Sequence, residues 1–276
     1  MLREERAVEA VPTAPPKQGG RPGRLARSYG PAAILVLVCI GLWELLIRVL
    51  DVPEYLWPAP SVVAKTIASD GHLLLSAIGV TVEEMILGFA IALAAGLGIG
   101  IAIHASQTLR RAVYPLLIAS QSIPTPVIAP ILALVMGFGI GPKLAIIALF
   151  CFFPIVINSV DGLASVDREY VRMMLTLDAS RWAIFRRVEF PAALPLIFSG
   201  TRIAATYAAI GAVFGEWAGS DAGLGYEILQ AKGHLDTPRV FAAVMIVTLM
   251  AVALFLLVAL VERLTIPWAR GGGAME

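Results

Sequence analysis

Residues 163–195, LASVDREYVRMMLTLDASRWAIFRRVEFPAALP, form a charged island between apolar stretches, and the reading of that island decides the fold. The runs on either side, about 142–162 and 196–217, are long enough to cross a bilayer as helices, for which roughly 20 residues are needed. Two adjacent spans need only a few residues to join them. A structured polar insert of this length on one face of a membrane is suited to meeting a partner.

The composition agrees. The 276 residues are 58% hydrophobic and 15% charged, with a mean hydropathy of +0.83, against roughly 25% charged in a soluble domain. Six stretches qualify as spans: about 31–50, 78–103, 112–137, 142–162, 196–217 and 238–262. They are continuously apolar and do not alternate, which predicts an all-α integral membrane protein and excludes a β-barrel. The formal net charge of +1 gives no reason to invoke nucleic acid. Cys39 and Cys151 sit in apolar runs as small hydrophobes, with no disulfide or metal-ligand spacing around them.

Three regions follow: a disordered tail at 1–28, a membrane domain at 29–265, and a flexible C-terminal tail at 266–276. The tail places Lys17, Arg21, Arg24 and Arg27 before the first run, which reads as an uncleaved span and not as a secretory signal. Arg110, Arg111, Arg168, Arg172, Arg181, Arg186, Arg187, Arg263 and Arg270 fall on the same side as that tail. The opposite side carries Asp51, Glu54, Asp70, Glu216, Asp221, Glu227 and Asp236, relieved by Lys65, Lys143, Lys232 and Arg239. The excess of Lys and Arg predicts that the basic side, with both termini and the island, is cytoplasmic, and that 51–77 and 218–237 face outward.

Individual spans carry further signals. Glu83 and Glu84 at the outer edge of the second either bind a cation or sit among headgroups and protein, while Gly88, Gly96, Gly98 and Gly100 permit close helix contact. In the third, Pro124, Pro126 and Pro130 after Ser120, Gln121 and Ser122 should kink or divide the helix, making this segment a candidate pathway lining or simply a structural kink. Gly137 to Pro142 reads as a tight external turn. Arg202 either faces protein or snorkels to headgroups, and Glu216 either lines the pathway or forms a salt bridge at a subunit interface.

Within the island, residues 166–175 read as a short helix capped by Asp167, followed by a break at Asp178, Ala179 and Ser180. A second amphipathic helix at 181–188 puts Trp182, Phe185 and Val188 on one face, and Pro191 and Pro195 hold its exit. Such a pair of helices either fills a groove on another protein or lies at the membrane interface.

This order of helix, small-residue turn, Arg-Trp and Phe-Arg pairs, and then Glu189-Phe190-Pro191-Ala192-Ala193-Leu194-Pro195 resembles the cytoplasmic loop of binding-protein-dependent ABC importer permeases, within the nitrate, sulfonate, taurine and thiamine-precursor group. Trp57-Pro58-Ala59-Pro60-Ser61, Gly215-Glu216-Trp217 and Gly223-Leu224-Gly225-Tyr226 add to the likeness, which runs from about 43 to 262. The resemblance implies six transmembrane helices and a coupling helix seated on a cytoplasmic ABC ATPase dimer. It also implies an extracytoplasmic solute-binding protein and a second permease copy, in a bacterial inner membrane. Coupling falls to Arg172, Met173, Met174, Asp178, Ala179, Ser180, Arg181, Trp182, Phe185 and Val188. Arg172, Met173 and Met174 depart from the family's Glu-Ala-Ala type triplet, and Asp178 stands where the family has glycine.

Ser120, Gln121, Ser122, Pro124, Pro126 and Glu216 are pathway candidates, and Trp57, Pro58, Pro60, Ser61, Trp217 and Tyr226 either receive the binding protein or anchor at the interface. No Gly-Lys-Ser/Thr phosphate loop is present, so the chain is not expected to be an enzyme; ATP and Mg belong to the partner ATPase. The cargo implied is a pyrimidine-type thiamine precursor or a related aromatic vitamin precursor, with nitrate, taurine or alkanesulfonate as the alternative. A secondary transporter would leave the island unexplained. A membrane enzyme would have to join His72, His104 and His234, which lie in separate connections or helix ends.

Overall fold

The computed structural model describes residues 23–270. Helix α1 (Gly23–Val49) stands as a unit by itself, carrying Pro31 and an i,i+4 ion pair from Arg48 to Glu44 at 2.6 Å. It begins inside the stretch expected to be tail; the rest of that tail and residues 271–276 lie outside the described residues.

The second unit, from Asp51 onward, contains α2 (Pro60–Ser69), α3 (Gly71–Ala105), α4 (Gln107–Ser120), α5 (Thr125–Met136), α6 (Ile140–Ala164), α7 (Arg168–Thr176), α8 (Arg181–Ile184), α9 (Phe190–Trp217), α10 (Leu224–Gly233) and α11 (Thr237–Thr265). Every regular element among the described residues is helical. Among the described residues four helices are long and apolar enough to cross a membrane, namely α3, α6, α11 and a continuous helix Arg181–Trp217 that includes α9. The pair α4 and α5 makes a fifth if counted as one span bent by 99°. The first expected span, 31–50, falls in α1.

The centre is α6, held between α3 and α9 by small residues. Gly88, Ala92, Gly96 and Gly100 recur at every fourth position of α3, and the Cβ positions at the three glycines would run into Ile147, Ile155 and Ser159 of α6. Close approach of this kind drives association in lipid, where apolar surface alone gives no preference for another helix. Gly98 lies off this face, with nothing near its Cβ position. From the other side, Ala204, Ala205, Ala208, Ala209 and Ala212 of α9 close over Ile147, Cys151 and Ile155, and Leu254 and Val258 of α11 complete the cluster.

At 35 residues α3 is about 52 Å long, well beyond the hydrocarbon thickness. Its first two turns project past the bundle and bury Leu74 and Ala77 with Val63 of α2, Leu224 and Ile228 of α10, and Ala242 and Ala243 of α11. The segments expected as outward loops thus carry a small core of their own. Arg239 fastens it by reaching Asp70 at 2.9 Å.

Two stretches accommodate their prolines differently. The third span is divided: α4 ends at Ser120, whose Oγ donates to Leu117 O at 2.8 Å, and α5 restarts after Pro124, which lacks the N–H needed to continue the ladder. The island's second helix, by contrast, does not end at the prolines. A π-helical turn, Phe185–Glu189, joins α8 to α9, with Phe190 N–H donating back to Phe185 O. The widened turn absorbs the missing N–H of Pro191, and Pro191 lies in the first turn of α9, where a proline is tolerated.

Candidate functional site

The end of the bundle carrying α7 exposes an elbow. Asp167 Oδ1 caps α7 by accepting from Glu169 N–H at 2.9 Å, and Ser180 Oγ caps α8 by accepting from Ala183 N–H at 3.2 Å. Between them Asp178 adopts φ +54°, with Ala179 N–H bonded to Met174 O and Asp178 N–H to Leu175 O, both at 3.1 Å. This is a Schellman termination, in which a left-handed residue lets two free carbonyls of the helix find donors. Asp178 therefore holds the left-handed position that glycine most often fills at a helix end. Asp178→Val should raise the rate of proteolysis at residues 177–180 and lower the thermal midpoint in detergent. Asp178→Gly should leave both unchanged or improved, a contrast of about 1–2 kcal/mol.

Arg172, Met173, Arg181 and Trp182 are exposed on this elbow, Trp182 by 67%. Met174, Phe185 and Val188 are half-buried. Trp182 stacks on Phe185 at 5.6 Å between centroids, and Phe185 meets Phe190 at 5.8 Å. Phe185 and Phe190 pack in turn on a cluster of Leu163, Ala193 and Ile197 with Leu97 and Ile101 of α3. Ile184, which the amphipathic reading passed over, is the buried anchor of the segment at 1% exposure. Its isolated position among arginines and aromatics gave no periodic signal. His104 bonds Glu189 at 3.1 Å and ties the end of α3 to the π turn. Nearby, Arg202 Nε lies 3.3 Å from Glu262 Oε2, beside an open cavity of about 480 Å³ also lined by Pro195, Ser199 and Ile266.

The opposite end holds a buried polar network. Glu216 Oε2 accepts from Gly225 N–H at 2.5 Å and Tyr226 N–H at 3.1 Å, and its Oε1 accepts from Thr81 Oγ at 2.7 Å. Thr81 Oγ also accepts from Leu224 N–H at 2.8 Å. A carboxylate from α9 and a hydroxyl from α3 together satisfy the first turn of α10, where unpaired donors and the positive end of the helix dipole favour negative charge. Gly223, at φ +110°, makes this possible because a Cβ there would occupy the space of the carboxylate. Trp217 Nε1 donates to Gly225 O at 2.9 Å on the same turn.

Beside it, Lys143 Nζ donates to Glu84 Oε1 at 2.7 Å and to Ser220 Oγ at 2.6 Å. Glu84 is thus paired with protein, while its Oε2 is buried without a hydrogen-bond partner among the described residues. Glu216 is 1% exposed, and both of its oxygens are engaged in capping α10 and bonding Thr81.

The remaining candidates divide by position. Ser120 is half-buried at the bend between α4 and α5, with Gln121, Ser122, Pro124 and Pro126 exposed around it. Pro58 is buried, Pro60, Ser61 and Tyr226 are half-buried, and Trp57 and Trp217 are 53% and 43% exposed. Trp57 leans on Phe241 at 5.9 Å.

The structure is thus a helical bundle of membrane-spanning character with an exposed aromatic and basic elbow at one end and a helix clamped across the other. Residues 72–267 match the family described as binding-protein-dependent transport system inner membrane component, and the chain belongs to that family. The formylaminopyrimidine transport permease protein of Halalkalibacterium halodurans is 35% identical over 89% of this chain and 99% of its own. The riboflavin transport system permease protein of Chloroflexus aurantiacus is 34% identical over 85% of this chain and 88% of its own. A chain of the inward-facing MetNI methionine ABC transporter shares the fold, with a TM-score of 0.61 at 16% identity over 71% of this chain and 97% of that one. The protein is therefore a multi-pass inner-membrane permease subunit of an ABC importer. Its family implies a separate ATPase subunit and a solute-binding protein, and the permease itself is not an enzyme.

Proposed function

We propose that this permease imports a pyrimidine-type thiamine precursor or a related aromatic vitamin precursor, as one of two identical copies around a shared pathway. The observation that carries the cargo is the pair of relatives at 35% and 34% identity, named for formylaminopyrimidine and riboflavin, both nitrogen heteroaromatics. The stretch 112–137 brings no Lys or Arg to the pathway, which suits such a solute better than nitrate, taurine or an alkanesulfonate.

In this reading α1 and the bent α4–α5 pair complete six spans, both termini and the elbow are cytoplasmic, and the elbow seats in a groove of the ATPase dimer. ATP and Mg bind to that partner. Closure of the dimer pushes the elbow, and the helix Arg181–Trp217, 37 residues or about 55 Å, carries the displacement through the membrane. The π turn near its start is the compliant point of this rod.

Co-purification tests the assembly, and ligand binding tests the cargo. The tagged permease should bring down an ATPase and a binding protein encoded beside it. Labelled formylaminopyrimidine should bind that binding protein and be displaced by related pyrimidines and not by taurine. Displacement by taurine or an alkanesulfonate alone would overturn the assignment of cargo.

A further inference from the structure

Six side chains are both polar and buried among the described residues, and four of them, Thr81, Glu84, Lys143 and Glu216, belong to the network at the α10 end. The other two, Ser159 and Thr201, bond back to carbonyls of their own helices at 2.6 and 2.8 Å. The four instead join α3, α6 and α9 to the loop after α9 and to α10, over distances of 2.5–2.8 Å in their shortest bonds. A buried ion pair gives little or no net stability over an apolar pair of the same volume, so stability alone does not account for Glu84 and Lys143. Their bonds fix α6 against α3 and against the loop after α9.

The geometry here is a weld. Lys143 holds Ser220, whose Oγ donates to Ala222 O at 2.6 Å, and two residues later the chain enters the first turn of α10 under Glu216 and Thr81. The outward side of α10 exposes Leu229, Gln230 and Lys232. A helix with one side exposed, its N-terminus bonded to α3 and α9, and the loop before it bonded to α6, can pass on a load.

We propose that Glu216 and Lys143 are positioning residues that make α10 and the 218–223 loop one body with α3, α6 and α9. Docking of the loaded binding protein on α10 then acts on three spans together. The inference rests on the importer reading above, with the α10 end facing that binding protein.

The test uses the whole transporter, permease with its ATPase and binding protein, in nanodiscs. The Glu84→Gln/Lys143→Met double variant removes both charges at similar volume and leaves no buried charge orphaned. Ser220→Ala cuts only the tether to the loop. Both should assemble with an unchanged thermal midpoint and keep basal ATP hydrolysis. Stimulation by loaded binding protein should fall by about fivefold or more in the double variant, the scale of a lost coupling between two sites, and by less in Ser220→Ala. Full stimulation in the double variant would overturn the proposal, as would loss of basal hydrolysis together with a lower midpoint, which would reduce the network to a stabiliser. Absence of stimulation in the unaltered transporter would fall on the importer reading itself.

Discussion

Replacing Trp182 and Phe185 together by Ala is expected to abolish solute uptake while the partner ATPase continues to hydrolyse ATP. Trp182 is 67% exposed on a helix that also carries Arg181, Arg186 and Arg187, and its ring lies on Phe185 at an interplanar angle of 24°. An indole held in place by stacking, and left in water, is preorganised for a pocket on another protein. Aromatic anchors of this kind contribute about 2 kcal/mol or more each to an interface, so losing both should weaken seating of the elbow by at least several hundredfold.

The effect also reaches inward, because Phe185 touches Phe190 and the cluster with Leu97 and Ile101 of α3. Membrane insertion should be intact, since Ile184 and Ala193 hold the buried side of the segment at 1% and 0% exposure. Uptake into proteoliposomes, measured beside stimulated and basal ATPase rates, checks the expectation. Unchanged uptake and stimulation would show that the elbow does not carry the coupling.

Much of this architecture is legible in the residues. Continuous apolar runs place the long helices, the prolines at 124 and 126 mark the break between α4 and α5, and Asp167 announces the start of α7. The helix ends run past the apolar runs, because α3 continues into a region where its partners are α2 and α10 and no longer lipid. The continuity of α8 with α9 past Pro191 had no signal to find, because a π turn has no sequence signature and it absorbs the missing N–H of Pro191.

The network at the α10 end was illegible because its bonds join residues 59, 135 and 143 positions apart. Read singly, Lys143 was a stray external cation, Glu84 a carboxylate at a helix end, and Glu216 a candidate for the pathway. Only the crossing of α3, α6 and α9 makes them a unit.

That crossing is set by glycine, and Gly211→Leu is expected to prevent the bundle from forming at all. A Cβ at Gly211 would lie 2.8 Å from Ile147 Cα, a backbone atom that cannot rotate away, and 3.4 Å from Phe150 Cβ. The two helices would have to part along their length, and α6 has no slack because the Cβ position at Gly88 of α3 meets the same Ile147 from the other side at 2.6 Å. Overpacking a core typically costs about 1–3 kcal/mol when side chains can give way. Here backbone must move, and the separation would also draw Lys143 of α6 away from Ser220 in the loop after α9. A cost above that range is a large fraction of the whole stability of an ordinary domain, about 5–15 kcal/mol. Gly98→Leu is the control, since nothing lies within 4 Å of its Cβ position and the substitution gains helix propensity of about 0.8 kcal/mol. Size-exclusion profiles in mild detergent should show the Gly98→Leu protein as a single peak at normal yield and the Gly211→Leu protein as aggregate. Equal recovery of the two would mean that α6 and α9 do not meet as closely as the fold requires.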